Sequence, residues 1–171
     1  HITLRMVCFI SFFLFVRKAF DWRVALVASA FLTVLPPYLF RTLSGVSDKE
    51  AMAMIFFYMG LYAFLSFLFE SRWRRALFFS VLGGLAVGAL WWMWGGVVFV
   101  TSTIGLFVLL LILLDKFSPQ DLGMYTVFLL TTYLVLGIGF PLRAGLVGLV
   151  TAPTSGVLFL ALGVGLVQYL V

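Results

Sequence analysis

Two carboxylates one residue apart, Asp48 and Glu50, close a ten-residue polar stretch, Arg41–Glu50, that separates two long apolar runs. The chain holds only six acidic residues in all, so a pair at one such junction calls for a cause. One cause is a hard divalent cation. Mg²⁺ or Mn²⁺ prefers carboxylate oxygens and keeps coordination positions open for water or a substrate phosphate. The other is a helix cap. Ser47-Asp48-Lys49-Glu50 has the form S-x-x-E ahead of an apolar run, with Ser47 at the N-cap, Glu50 reaching back, and Asp48 suited to the positive end of the helix dipole. The two roles are compatible, with one geometric condition. Side chains two positions apart on a regular helix point about 200° from each other. Both carboxylates therefore meet one ion only if Asp48 lies before regular helix begins, and Gly45 supplies the backbone freedom such a turn needs.

The remaining chemistry is sparse. The only histidine is His1, so no Ser-His-Asp arrangement and no histidine-rich metal site arises within the chain. The only cysteine, Cys8, sits in an apolar run and reads as a small buried side chain. No phosphate-cradling GxxxxGK[ST] occurs, and no nucleic-acid motif accompanies the basic charge. Arg143 and Arg41 are candidates for a lipid-borne phosphate because guanidinium forks match phosphate oxygens. The alternative for each is an interfacial cation that anchors the end of a span. Trp91, Trp92 and Trp94 suit an aromatic belt at a membrane interface, with contact to a lipid carrier as the second reading.

The elements that must position these residues follow from composition. Hydrophobic residues make up 64% of the chain and charged residues 10%, with a mean hydropathy of +1.22. A soluble domain needs a charged, mixed surface that this chain does not supply. Apolar runs near 6–16, 24–40, 51–69, 76–94, 97–114, 122–140 and 156–171 give about seven spans, most of them long enough to cross a bilayer. The runs are continuous rather than alternating, which excludes a barrel and leaves helices. The expected fold class is all-α, a polytopic helical membrane protein.

If the spans alternate in direction, one side receives Arg17, Lys18, Arg23, Arg72, Arg74, Arg75 and Lys116, and the other Arg5, Arg41, Lys49 and Arg143. The positive-inside rule makes the first side cytoplasmic. The Arg41–Glu50 loop, Trp94-Gly95-Gly96 and the stretch around Arg143 then face the extracytoplasmic side of a cell membrane. The net charge of +5 suits anionic lipid head groups. Within the bundle, Gly84 and Gly88 form a GxxxG expected at a close helix contact, Ser118-Pro119-Gln120-Asp121 reads as a helix start with Pro119 at N1, and Pro36-Pro37 is expected to distort the outer end of the second span.

R-T-L-S-G-V-S-D-K-E followed by A-M-A-M-I-F-F resembles the second external loop of the catalytic subunit of oligosaccharyltransferases, and S-D-K-E resembles its archaeal versions. Trp94-Gly95-Gly96 is similar to a W-G-G-Y block of that family, in the expected order and on the same expected face, with Val97 where the family often has Tyr. The resemblance implies part of a C-type membrane glycosyltransferase fold. It implies transfer of a glycan from a polyprenyl or dolichyl phosphate carrier to the Asn of an N-x-[ST] sequon, with Asp48 and Glu50 as ligands of a divalent metal. The family's first-loop Asp, its large external loop with a sequon-engaging Glu, and its W-W-D-Y-G motif do not occur within these residues. The chain is accordingly expected to be a piece of a longer protein, inactive by itself. Two other readings stay open: a non-catalytic membrane scaffold or transporter fragment whose loop is only a cap, and another transferase using polyprenyl-phosphate sugars.

Overall fold

A computed structural model describes residues 2–35, 49–139 and 153–170. All regular structure among them is helical: α1 (Ile2–Ala19), α2 (Trp22–Val34), α3 (Lys49–Leu68), α4 (Trp73–Met93), α5 (Val97–Leu113), α6 (Pro119–Gly139) and α7 (Pro153–Leu170). One helix lies over each of the seven apolar runs. Among the described residues α4 and α6 are long and apolar enough to cross a membrane; the apolar stretches Trp22–Val34, Met52–Leu68, Val97–Leu113 and Gly156–Tyr169 are shorter. Large apolar side chains such as Phe31, Phe99, Leu106, Leu130 and Ile138 face outward, as suits a helical protein with lipid as its solvent. Pro36-Pro37 lies outside the described residues.

Helix ends are set by local chemistry. The carboxylate of Asp21 accepts the Val24 N–H at 2.7 Å and starts α2. At α6 the expected start is found, with Pro119 the first helical residue. Ser118 and Asp121 close a reciprocal box around it: the Asp121 N–H donates to Ser118 Oγ (3.2 Å), and the Ser118 N–H and hydroxyl both donate to Asp121 Oδ2 (2.9 and 2.7 Å). α5 stops in a Schellman turn. The Lys116 N–H reaches the Leu111 carbonyl (2.9 Å), the Asp115 N–H reaches that of Ile112 (3.0 Å), and Asp115 takes the left-handed conformation (φ 52°) usually left to glycine.

Packing runs α2–α1–α3–α4–α6–α7–α5, so α5 turns away from its sequence neighbour α4 and lies on α7. The centre is the contact of α4 with α6, two parallel helices in constant register. The Ser80 hydroxyl donates across it to the Met124 carbonyl. One turn on, a Cβ added to Gly84 would stand 2.7 Å from the Phe128 carbonyl oxygen, and one added to Gly88 would stand 2.6 Å from Val135 Cβ. The GxxxG expectation is met here and extends backward by a serine. On the opposite side α3 runs antiparallel to α4: Gly60 faces Val87, and Ala63 faces Gly83. The rings of Phe64, Phe67, Tyr125 and Phe128 fill the space between α3 and α6. α5 presents Gly105 to Val157 and Leu158 of α7, and the Tyr125 hydroxyl donates to the Leu158 carbonyl at 3.2 Å.

In lipid such small residues act by letting backbones approach, since apolar burial gives no drive between helices. Gly84→Leu should therefore lower the melting temperature of the full-length protein in detergent, an overpacking cost of about 1–3 kcal/mol. Gly123→Ala, where a Cβ meets nothing within 4 Å, should leave it unchanged or raise it.

Candidate functional site

The described part of α3 begins at Lys49, one residue after Asp48 in the chain, and Glu50 is helical. Asp48, Arg41 and Arg143 lie outside the described residues. Of Asp48, Glu50, Arg41, Arg143 and Trp94, Trp94 is the one whose side chain is described.

Trp94 ends α4 in an extended conformation (φ −142°, ψ 125°), its N–H closing the last helical turn on the Leu90 carbonyl at 2.9 Å. Its half-buried indole turns back over the following residues. It meets Phe57 of α3 edge to face, with ring centroids 6.2 Å apart and planes at 87°. It also covers Gly96 so closely that a Cβ there would overlap the ring. Gly95 faces open space. The two glycines of the block thus do different things: Gly96 makes room for the indole, and Gly95 is unconstrained by neighbours.

The Phe57–Trp94 contact fixes which end of the bundle this is. Phe57 is seven residues after Glu50, about two helical turns and roughly 10 Å along α3. The antiparallel register of α3 and α4 therefore puts the start of α3 level with the Trp94–Gly96 turn. The parallel register of α4 and α6 brings Trp92 against Gly139, so α6 ends at this same end of the helices, four residues before Arg143 in the chain. Three described parts of the chain lie at one end of the helices: the start of α3, the Trp-Gly-Gly turn and the end of α6. The other end carries Arg17 and Lys18 in the last turn of α1, Arg23 at the start of α2, Arg72, Arg74 and Arg75 at the start of α4, and Lys116 after α5.

Among the described residues no group of three or more His, Cys, Asp or Glu side chains comes together as a metal centre. Two carboxylates are hard oxygen donors and match the preference of Mg²⁺ or Mn²⁺, but they are fewer than the six ligands Mg²⁺ takes, so Asp48 and Glu50 would form part of a site. Sequence reasoning did not find Phe57, although an aromatic two turns into the helix that follows a loop is the signal that would have pointed to it.

The family model described as oligosaccharyl transferase STT3, N-terminal, matches residues 3–171. The chain belongs to this family. It is 29% identical over 112 residues to the dolichyl-diphosphooligosaccharide–protein glycosyltransferase subunit STT3 of Saccharomyces cerevisiae, covering 66% of this chain and 15% of that protein. It is 30% identical over 135 residues to the corresponding subunit of Schizosaccharomyces pombe, covering 76% of this chain and 16% of that protein. For the subunit of Dictyostelium discoideum the identity is 28% over 127 residues, 74% of this chain and 17% of that protein. The chain thus matches only about a sixth of the length of these STT3 relatives.

Substitution at the two glycines of the Trp94 turn should separate their roles. Gly96→Ala should lift the indole from Phe57 and lower the melting temperature, a cost of about 1–3 kcal/mol. Gly95→Ala should leave the melting curve unchanged, and equal effects of the two would contradict the placement of the indole over Gly96.

Proposed function

We propose that the chain is part of the membrane region of an oligosaccharyltransferase catalytic subunit, built on seven spans in a C-type membrane glycosyltransferase fold. The full-length protein transfers a glycan from a lipid phosphate carrier to the Asn of an N-x-[ST] sequon. Family membership carries the reading, and the relatives are named as subunits of dolichyl-diphosphooligosaccharide–protein glycosyltransferases. Support from the geometry lies in the end of the bundle that holds the start of α3, the Trp94 turn and the end of α6. That end is the extracytoplasmic one in this reading, because the cation-rich end opposes it.

In this proposal Asp48 and Glu50 hold a divalent cation, Mg²⁺ or Mn²⁺, together with donors from outside this chain. The position of Glu50 near the described start of α3 is compatible with their joint use. The cation, when bound, supplies positive charge to carrier phosphate. Arg41 and Arg143 would add guanidinium contacts to that phosphate, and Trp94, held by Phe57 and Gly96, would offer an apolar wall to the carrier chain.

Glu50→Gln distinguishes a ligand from a cap, because glutamine also completes an S-x-x-[EQ] capping box while offering the metal a neutral, weaker donor. In the full-length protein, Glu50→Gln should leave the melting temperature unchanged and raise the Mn²⁺ concentration for half-maximal transfer to a sequon peptide by about tenfold or more. Asp48→Ala should reduce transfer by at least about 100-fold. Full activity of both variants at limiting Mn²⁺ would overturn the metal assignment and leave the loop as a helix start only.

A further inference from the structure

At the cation-rich end, a cavity of about 500 Å³ opens between the last turn of α1, the end of α3 and the first turns of α4. Lys18, Arg74 and Arg75 line it, opposed by the single carboxylate of Glu70, which gives the lining a formal charge of +2. Two of these cations lie in the first turn of α4, at the positive end of its dipole, where acidic residues are the favourable choice. That turn contains no acidic residue, and Arg72 at the N-cap makes no side-chain capping bond. Glu70 directs its carboxylate to the Arg72 N–H at 3.3 Å. The arrangement concentrates positive charge on one cavity at the positive end of a helix dipole, as an anion site requires.

A second observation points the same way. Ser66 lines this cavity, is 98% buried, and its hydroxyl has no hydrogen-bond partner among the described residues. Ser11 and Ser80, by contrast, bond to the carbonyls of Val7 and Met124, and Ser29 of α2, which also has no partner among the described residues, lies outside this cavity. Buried hydroxyls are rarely left unpaired, and a donor facing a basic cavity is suited to a phosphate oxygen. Beside it Phe78, which also lines the cavity, and Phe69 are largely exposed, 62% and 67%, and give an apolar flank on the perimeter of the bundle.

We infer that this cavity binds a phosphate group, presented by an anionic phospholipid whose head group enters among Lys18, Arg74, Arg75 and Ser66 while its acyl chains run along Phe78 and Phe69. The site is at the opposite end of the helices from Glu50 and Trp94, and it does not depend on the proposed transfer reaction.

Native mass spectrometry of the full-length protein in detergent, titrated with phosphatidylglycerol and with phosphatidylcholine, tests it. The wild type should retain phosphatidylglycerol in preference to phosphatidylcholine. The double variant Arg74→Gln/Arg75→Gln should bind phosphatidylglycerol about 30-fold more weakly. Both arginines are exposed, so the core is unaffected by their replacement. Ser66→Ala should weaken binding about threefold to tenfold. Arg23→Gln, a cation at the same end outside the cavity, should bind as the wild type does. Inorganic phosphate at millimolar concentration should fail to displace the lipid; displacement would assign the site to the free ion and overturn its assignment to a lipid. Undiminished binding in the double variant, or an equal loss in Arg23→Gln, would reduce the site to diffuse surface charge and overturn the proposal.

Discussion

The close approach of α4 to α6 is the contact on which the remaining architecture hangs. α4 is the only helix packed broadly on both α3 and α6, and α6 in turn carries α7, on which α5 rests. In lipid no water is expelled when helices meet, so association depends on van der Waals contact and on polar groups shared between helices. Ser80, Gly84 and Gly88 supply both. The serine contributes an interhelical hydrogen bond, worth roughly 0.6–2 kcal/mol in such settings. The glycines let backbone meet backbone along two further turns. A side chain at either glycine would separate the helices and withdraw Phe128 from the aromatic cluster it shares with Phe64 and Phe67.

That same seam transmits position to the ends. Because α4 and α6 run parallel in fixed register, their C-terminal ends, Trp92–Trp94 and Gly139, are held level. Because α3 runs antiparallel to α4, its first turn is held level with them. The start of α3 and the Trp94 turn therefore keep their relative level through helix packing. The Trp94 turn acts as a brace, with its indole wedged between Phe57 and the bare Cα of Gly96. α5 departs from this end, which explains how it contacts α4 so little and still belongs to the bundle: its buried stripe of Val97, Val100, Ile104, Val108 and Ile112 is spent on α7.

Much of this was legible in the residues. Helix positions followed from the apolar runs, the start of α6 from Ser118 and Pro119, and the α4 seam from Gly84 and Gly88. The partners of each helix were not legible, for a physical reason. In a soluble helix the apolar stripe marks the buried face, whereas here the lipid-facing side is as apolar as the core, as Leu106 and Leu110 beside Ile104 and Val108 on α5 illustrate. Only small or polar residues carry facing information, and Gly105 against Val157 and Gly165 against Leu122 are weak signals singly. The left-handed Asp115 was also hidden, since aspartate takes that conformation far less often than glycine. At the candidate site the Trp94 block was anticipated while its support by Phe57 was not, and Asp48, Arg41 and Arg143 lie outside the described residues.

The two ends of the bundle pose opposite electrostatic problems for one ligand chemistry. A phosphate is an anion, and the end with Lys18, Arg74 and Arg75 can take it directly. The acidic pair proposed for the other end, Asp48 and Glu50, would repel it unless a cation stood between. A divalent ion bridging carboxylate and phosphate reverses the sign of the local field, which two carboxylates alone cannot do. The modes of binding consequently differ in what disturbs them. Direct pairing with exposed arginines is screened by monovalent salt over about 8 Å at physiological ionic strength. Coordination through a bridging cation depends instead on the free concentration of that ion and on chelators. On these two proposals an acidic pair at one end and a basic cavity at the other would not be interchangeable lipid contacts: the first would acquire phosphate affinity only with a metal, and the second would have it from its own cations.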